Sequence, residues 1–232
     1  MSKRTFGIVI VGVAMVTGAQ AQVWDFERAN GYKVGEAGDA FAWTGTGGGG
    51  SAYLKVDAGS SEAGLFTAGG WTVTGTTGQT GVDLVKDSWS GTPNSQPGDQ
   101  WVDLAGSPGP GGISRTVKLF KGNQYKLTWD SFRSNSAYAV DVALGSLFTT
   151  SLTTALDNTW QNFSSGWITP VSSMEIMLTF ATPQGGSGNV GLDNVNLTSQ
   201  IDPNADPVPE PFTLALGAAG LLAAARRRRN RA

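Results

Sequence analysis

The chain has neither cysteine nor histidine among its 232 residues. That excludes disulfides, thiol and imidazole catalysis and most zinc sites, and leaves carboxylates and aromatic rings as the groups to consider first. Asp83, Asp87, Asp99, Asp103, Asp130 and Asp141 are carboxylates of the kind a glycosidase pairs as acid and base. No spacing selects two of them, and the expectation is a binding or structural protein, not an enzyme. Asp193 stands apart because it shares its parity with Val195 and Leu197. If those two face a core, so does Asp193, and a buried carboxylate needs a metal or a hydrogen-bonding partner. A hard, oxygen-bound cation such as calcium suits a chain without His or Cys; a turn cap or backbone N–H bonds are the alternative. The eight tryptophans are the second resource. Trp71 and Trp129 read as core. Trp101 has the opposite parity to Val102 and Leu104 and reads as outward, and Trp89 lies in a polar stretch. Exposed indoles can stack on sugar rings while neighbouring Asp, Asn and Gln bind hydroxyls. Trp89 and Trp101 are therefore candidate ligand-binding residues, unless they only cover the ends of the fold.

The elements that must position these groups are strands. Ile113–Phe120, Tyr125–Trp129, Tyr138–Leu144 and Met174–Phe180 each alternate apolar and polar residues, with Gly, Pro, Asn and Asp between them. Such period-two runs predict an antiparallel β-sandwich. Weaker strands are predicted at Val23–Phe26, Ala52–Val56, Trp71–Thr74, Val82–Val85, Trp101–Leu104, Phe163–Ile168 and Gly191–Leu197. About eight to eleven strands in one domain make a jelly roll. Residues 90–112 read as a long Gly/Pro/Ser connection interrupted by the Trp101 strand.

Both chain ends read as targeting devices. Lys3 and Arg4 precede an apolar run from Phe6 to Val16 and the small-residue site Ala19-Gln20-Ala21, the three-part pattern of a secretory signal peptide. Cleavage is expected after Ala21, which makes 1–21 the signal peptide, 22–200 the sandwich, 201–207 a linker and 208–232 a tail. In that tail Val208-Pro209-Glu210-Pro211 is followed by a fourteen-residue apolar run, Phe212–Ala225, and then by five arginines within 226–231. The run is shorter than the ~20 residues of a full span, enough for a short transmembrane-type helix that lodges temporarily, with the arginines held on the cytoplasmic side. The prolines keep the segment before it extended. Removing both ends takes the basic residues from 16 to 9 and the acidic ones from 18 to 17, a net charge near −8. That disfavours a nucleic-acid partner and is compatible with cation binding.

The order of motif, apolar run and arginines closely resembles the PEP-CTERM sorting signal of Gram-negative bacteria. The resemblance implies export through the inner membrane, transient anchoring, recognition of Val208–Pro211 by the protease-transpeptidase exosortase, and a cell-surface or secreted fate. Between the ends, Asp25-Phe26-Glu27, Gly70-Trp71-Thr72-Val73, Val82-Asp83-Leu84-Val85, Trp101-Val102-Asp103-Leu104, Gly111-Gly112-Ile113-Ser114 and Leu192-Asp193-Asn194-Val195 occur in that order. This series resembles the exported choice-of-anchor C domain, similar to DUF642 and carbohydrate-binding-module jelly rolls with a galactose-binding-like fold. That resemblance implies a structural Ca²⁺ between Glu27 and Asp193. It also implies an association with exopolysaccharide or biofilm; a lectin-like carbohydrate-binding module is the first alternative reading and a glycoside hydrolase the second.

Overall fold

The computed structural model describes residues 19–46, 52–76, 78–86, 100–106, 109–134, 139–153, 159–183 and 188–205. Its strands are β1 (Gln20–Trp24), β2 (Gly45–Thr46), β3 (Ala52–Asp57), β4 (Thr72–Thr74), β5 (Gly81–Lys86), β6 (Gln100–Asp103), β7 (Gly112–Leu119), β8 (Asn123–Arg133), β9 (Val140–Leu144), β10 (Phe148–Leu152), β11 (Gln161–Ile168), β12 (Met174–Ala181) and β13 (Val190–Ile201). One short helix, α1 (Ala63–Ala68), precedes β4.

The strands form two antiparallel sheets, a β-sandwich of the jelly-roll type. The larger sheet runs β11-β8-β13-β6-β5-β3-β2 and the smaller β10-β9-β12-β7-β4. Alternation explains the layering. Along β8, Tyr125, Leu127 and Trp129 are buried while Lys126, Thr128 and Asp130 are half-buried on the outer face. Along β7, Ile113, Val117 and Leu119 point inward. The two inner faces meet in one core that includes Trp71, Trp129, Phe180, Leu127, Val142 and Leu197, and removing this apolar surface from water is the main drive for the fold. Trp129 is its hub, stacked on Phe163 at 5.7 Å and edge-on to Phe180 at 5.9 Å. Trp71 and Trp129 are the core residues their sequence context predicts, each 1% exposed.

β2, β10 and α1 were not legible in the sequence. β10 carries Thr149, Thr150 and Ser151 between Phe148 and Leu152, a polar edge strand that pairs, among the described residues, with β9. α1 is a single turn and a half built on small residues, buried through Leu65 and Phe66.

One feature of the larger sheet positions the site. β13 has β8 along one side for most of its length. Its other side is shared, by β6 at Gly191 and Leu192 and by β1 from Val195 to Ser199. Between the two the register shifts, from Asp193 to Asn196. β1 therefore crosses the expected cleavage point: Ala21 pairs with Thr198, and Gln22–Trp24 continue the strand. The tail from 208 onward, including the apolar run and Val208–Pro211, lies outside the described residues, as does the apolar run near the N-terminus. Among the described residues no helix is long and apolar enough to cross a membrane.

Candidate functional site

The handover from β6 to β1 leaves a gap beside β13, and the backbone fills it with a bulge at Asn194. Asn194 has φ 48°, a left-handed conformation that Asn tolerates better than most residues. The extra residue resets the alternation. Leu192 and Val195 both point into the core, and Asp193 is turned to the outer face of the sheet, level with Asp130. Parity alone puts Asp193 on the core face with Val195 and Leu197. The residue has no solvent exposure, but it shares its face with Gly191 and not with Val195 and Leu197, because the bulge intervenes.

The gap also admits the chain leaving β1. Glu27 follows three residues after Trp24, and its Oε1 accepts a hydrogen bond from the Gln100 N–H at the start of β6, at 3.3 Å. Burial pushes the Asp193 carboxyl up to about 8, against a hydrogen bond from the Asn194 N–H at 2.8 Å, and the negative charges of Glu27, Asp25 and Asp130 push the same way as burial. Glu27 and Asp193, far apart in sequence, therefore lie within electrostatic reach of each other. Beside them, Asp130 accepts hydrogen bonds from the Asn194 amide at 2.9 Å and the Asn162 amide at 2.8 Å. A row of amide and carboxylate groups thus crosses β11, β8 and β13 on the outer face. Asp25 accepts a further amide hydrogen bond from Asn30.

The donor set suits a hard cation: all oxygen, a raised carboxyl that bound positive charge would ionise, and several acidic neighbours. Among the described residues, no three carboxylates converge closely enough to form a ligand sphere by themselves. Glu27 and Asp193 by themselves are too few ligands for such an ion, so backbone carbonyls and water would have to supply the remaining positions.

The aromatic candidates are redistributed. Trp101 is on the outer face, as its parity indicates, but it is fully buried. It meets Phe132 edge-on at 5.1 Å and Trp160 at 5.9 Å, with Val85 and Tyr53 completing a second small cluster. Gly191 makes room for this group, since a Cβ there would collide with Phe132 and Trp160. Adjacent strands supply enough apolar surface to seal the ring, so Trp101 cannot present a face to a ligand. Trp89 lies outside the described residues. Among the described tryptophans, the one that does face outward is Trp167, 43% exposed at the end of β11. The Lys126 ammonium lies 5.0 Å from the ring centroid, a cation–π contact. Trp167 carries no clear signal in the sequence, because a local irregularity between Ser164 and Trp167 breaks the alternation of β11.

Of the candidate catalytic carboxylates, Asp87 and Asp99 lie outside the described residues. Asp83 and Asp103 face each other across β5 and β6, both buried. Burial pushes the Asp103 carboxyl up to about 6, against hydrogen bonds from the Val190 N–H at 2.8 Å and the Ala105 N–H at 2.9 Å. Those bonds fasten the start of β13 to the turn after β6, a structural task.

No family model matches the chain, and no curated protein matches it. Solved structures match the chain at low identity. A Stig cyclase from Fischerella sp. TAU, complexed with an indole compound, is 13% identical with a TM-score of 0.47, covering 82% of this chain and all of that one. A carbohydrate-binding module of family CBM36 in complex with calcium and xylotriose is 17% identical with a TM-score of 0.34, covering 63% of this chain and 99% of its own. A CBM4 structure is 16% identical with a TM-score of 0.38, covering 56% and 86%.

Proposed function

We propose that the chain is an exported, non-enzymatic surface or matrix protein whose sandwich binds a polysaccharide through the outer face of its larger sheet. The observation that carries this reading is the outer face of β11, β8 and β13. There the Asn162–Asp130–Asn194 row, held by hydrogen bonds of 2.8 and 2.9 Å, shares a surface with the exposed Trp167. Asp130 spends both oxygens on the two amides and fixes their orientation. Preset amide groups bind sugar hydroxyls, and an indole offers a flat apolar partner to a pyranose ring. Lys126 and Asp130 are four residues apart on β8, about 13 Å at the rise of a strand, a length a short oligosaccharide can bridge. Calcium between Glu27 and Asp193 would stiffen the neighbouring bulge. Export, exosortase recognition of Val208–Pro211 and exopolysaccharide association belong to the same proposal and are supported by the order of residues at the two chain ends.

A glycan panel probed with the full chain tests the binding claim. The expected result is retention on at least one acidic or neutral polysaccharide, weakened about tenfold (~1.4 kcal/mol) by Trp167→Ala with an unchanged melting temperature. Retention that ignores Trp167→Ala assigns binding to another face. Turnover of a polysaccharide, lost on one Asp substitution, would replace the reading with a glycosidase.

A further inference from the structure

One end of the sandwich gathers features that the proposed sugar face does not use. Leu119 pairs with Met174, Asn123 pairs with Ile201, the Lys121 N–H donates to Ser173 Oγ at 3.0 Å, and the Asp202 N–H donates to the Gly122 carbonyl at 2.9 Å. The β7–β8 turn, the β11–β12 turn and the end of β13 therefore form a single surface. Phe120 is 50% exposed on it, Val171 83% and Ile201 58%. None of the exposed large hydrophobic side chains among the described residues lies at the opposite end, around 78–80 and 109–111. The first and the last described stretches of the chain also lie here, because Gln20 pairs with Ser199 and Ser199 pairs with Tyr125.

What covers this end is indicated by the chain that continues from it. Residues 202–211 separate β13 from the fourteen-residue apolar run Phe212–Ala225. Ten residues reach at most about 35 Å, and four of them are proline, so a bilayer holding that run lies close to this end of the sandwich. Tethering at such range turns weak contacts into occupied ones. The surface chemistry agrees. Lys121 is exposed, the Lys118 ammonium lies 5.6 Å from the Phe120 ring centroid, and an aromatic ring with flanking lysines and aliphatic side chains is the composition of an interfacial anchor. Two carboxylates lie nearby: Glu175 sits opposite Lys118, and Asp202 is engaged with the Asn204 N–H at 2.9 Å.

We propose that this end of the sandwich docks on the surface of a phospholipid bilayer, with Phe120, Val171 and Ile201 entering the headgroup region and Lys121 meeting anionic lipid. The inference rests on the reading of the tail as a membrane segment, and the test separates the two. Because the chain has no native cysteine, Val171→Cys and Gln79→Cys variants of the full chain can each carry one fluorophore, the second as a control at the far end. They are mixed with phosphatidylethanolamine–phosphatidylglycerol vesicles containing a lipid-borne quencher. The expected result is flotation with the vesicles and quenching several-fold stronger at 171 than at 79, reduced by Phe120→Ser with Ile201→Ser. Flotation with equal, weak quenching at both positions overturns docking and leaves the tail reading intact; failure to float overturns both. A label at 171 shielded in a lipid-free dimer, and unquenched on vesicles, would give this end to a second copy of the chain and overturn the proposal.

Discussion

At the scale of single residues, Asp193 sets the behaviour of the site. Its carboxyl, near 3.8 in an ordinary setting, is held at about 8 in the fold. Between those values the folded chain binds a proton that the unfolded chain has released. The contribution of Asp193 to stability is therefore complete below about 3.8 and is lost as pH rises towards about 8. Asp103, held at about 6, acts in the same direction over a narrower window. With chelator present, the melting temperature is expected to fall between about pH 5 and about pH 8, and Asp193→Asn should flatten the fall. Calcium at the upper pH should raise the melting temperature of the native chain by several degrees, since 1 kcal/mol corresponds to about 2–4 °C in a domain of this size. A calcium response that persists in Asp193→Asn would reject the site. Sequence alone singled out Asp193 as a buried acid and, through a resemblance, paired it with Glu27. It missed Asn162 and Asn194, because amides carry no signal until the sheet aligns them with Asp130.

At the scale of elements, strand periodicity was the legible part. The strong alternations became β7, β8, β9 and β12, and the weaker segments became β1, β3, β4, β5, β6, β11 and β13 with shifted boundaries. What periodicity could not show is where it is interrupted. The bulge in β13 turns Asp193 to the outer face, and the irregularity in β11 brings out Trp167. Trp101 shows the converse limit: parity names a face, but only neighbouring strands decide whether that face is wet. The bulge makes a specific prediction. Asn194→Val places a β-branched residue in the left-handed region and removes the amide held by Asp130, at a cost of about 2 kcal/mol measurable by urea unfolding. Asn194→Gly relieves the backbone and should cost less than Asn194→Val. Equal losses would mean that the conformation at 194 is not what shapes the site.

At the scale of the whole molecule, the proposed export rests on residue order in segments that lie outside the described residues. Intact-mass measurement on protein from its native host, in membrane and medium fractions, tests this reading. The expected product begins at Gln22 and lacks the residues that follow the Val208–Pro211 motif. Such a product still contains Gln22–Trp24, so β1 would keep its pairs with Leu197, Asn196 and Val195. A full-length mass from the cytoplasm would remove export from the account. The route by which the chain leaves the domain has a mechanical result. β13 is twelve residues long and is flanked along its length by β8 and, on its other side, by β6 and β1. Tension applied at Ile201 therefore acts along the strand, against many hydrogen bonds at once, instead of peeling them one by one. A domain tethered in this way and gripping a polymer through β8 and β11 would resist drag in shear, the geometry in which a sheet yields last.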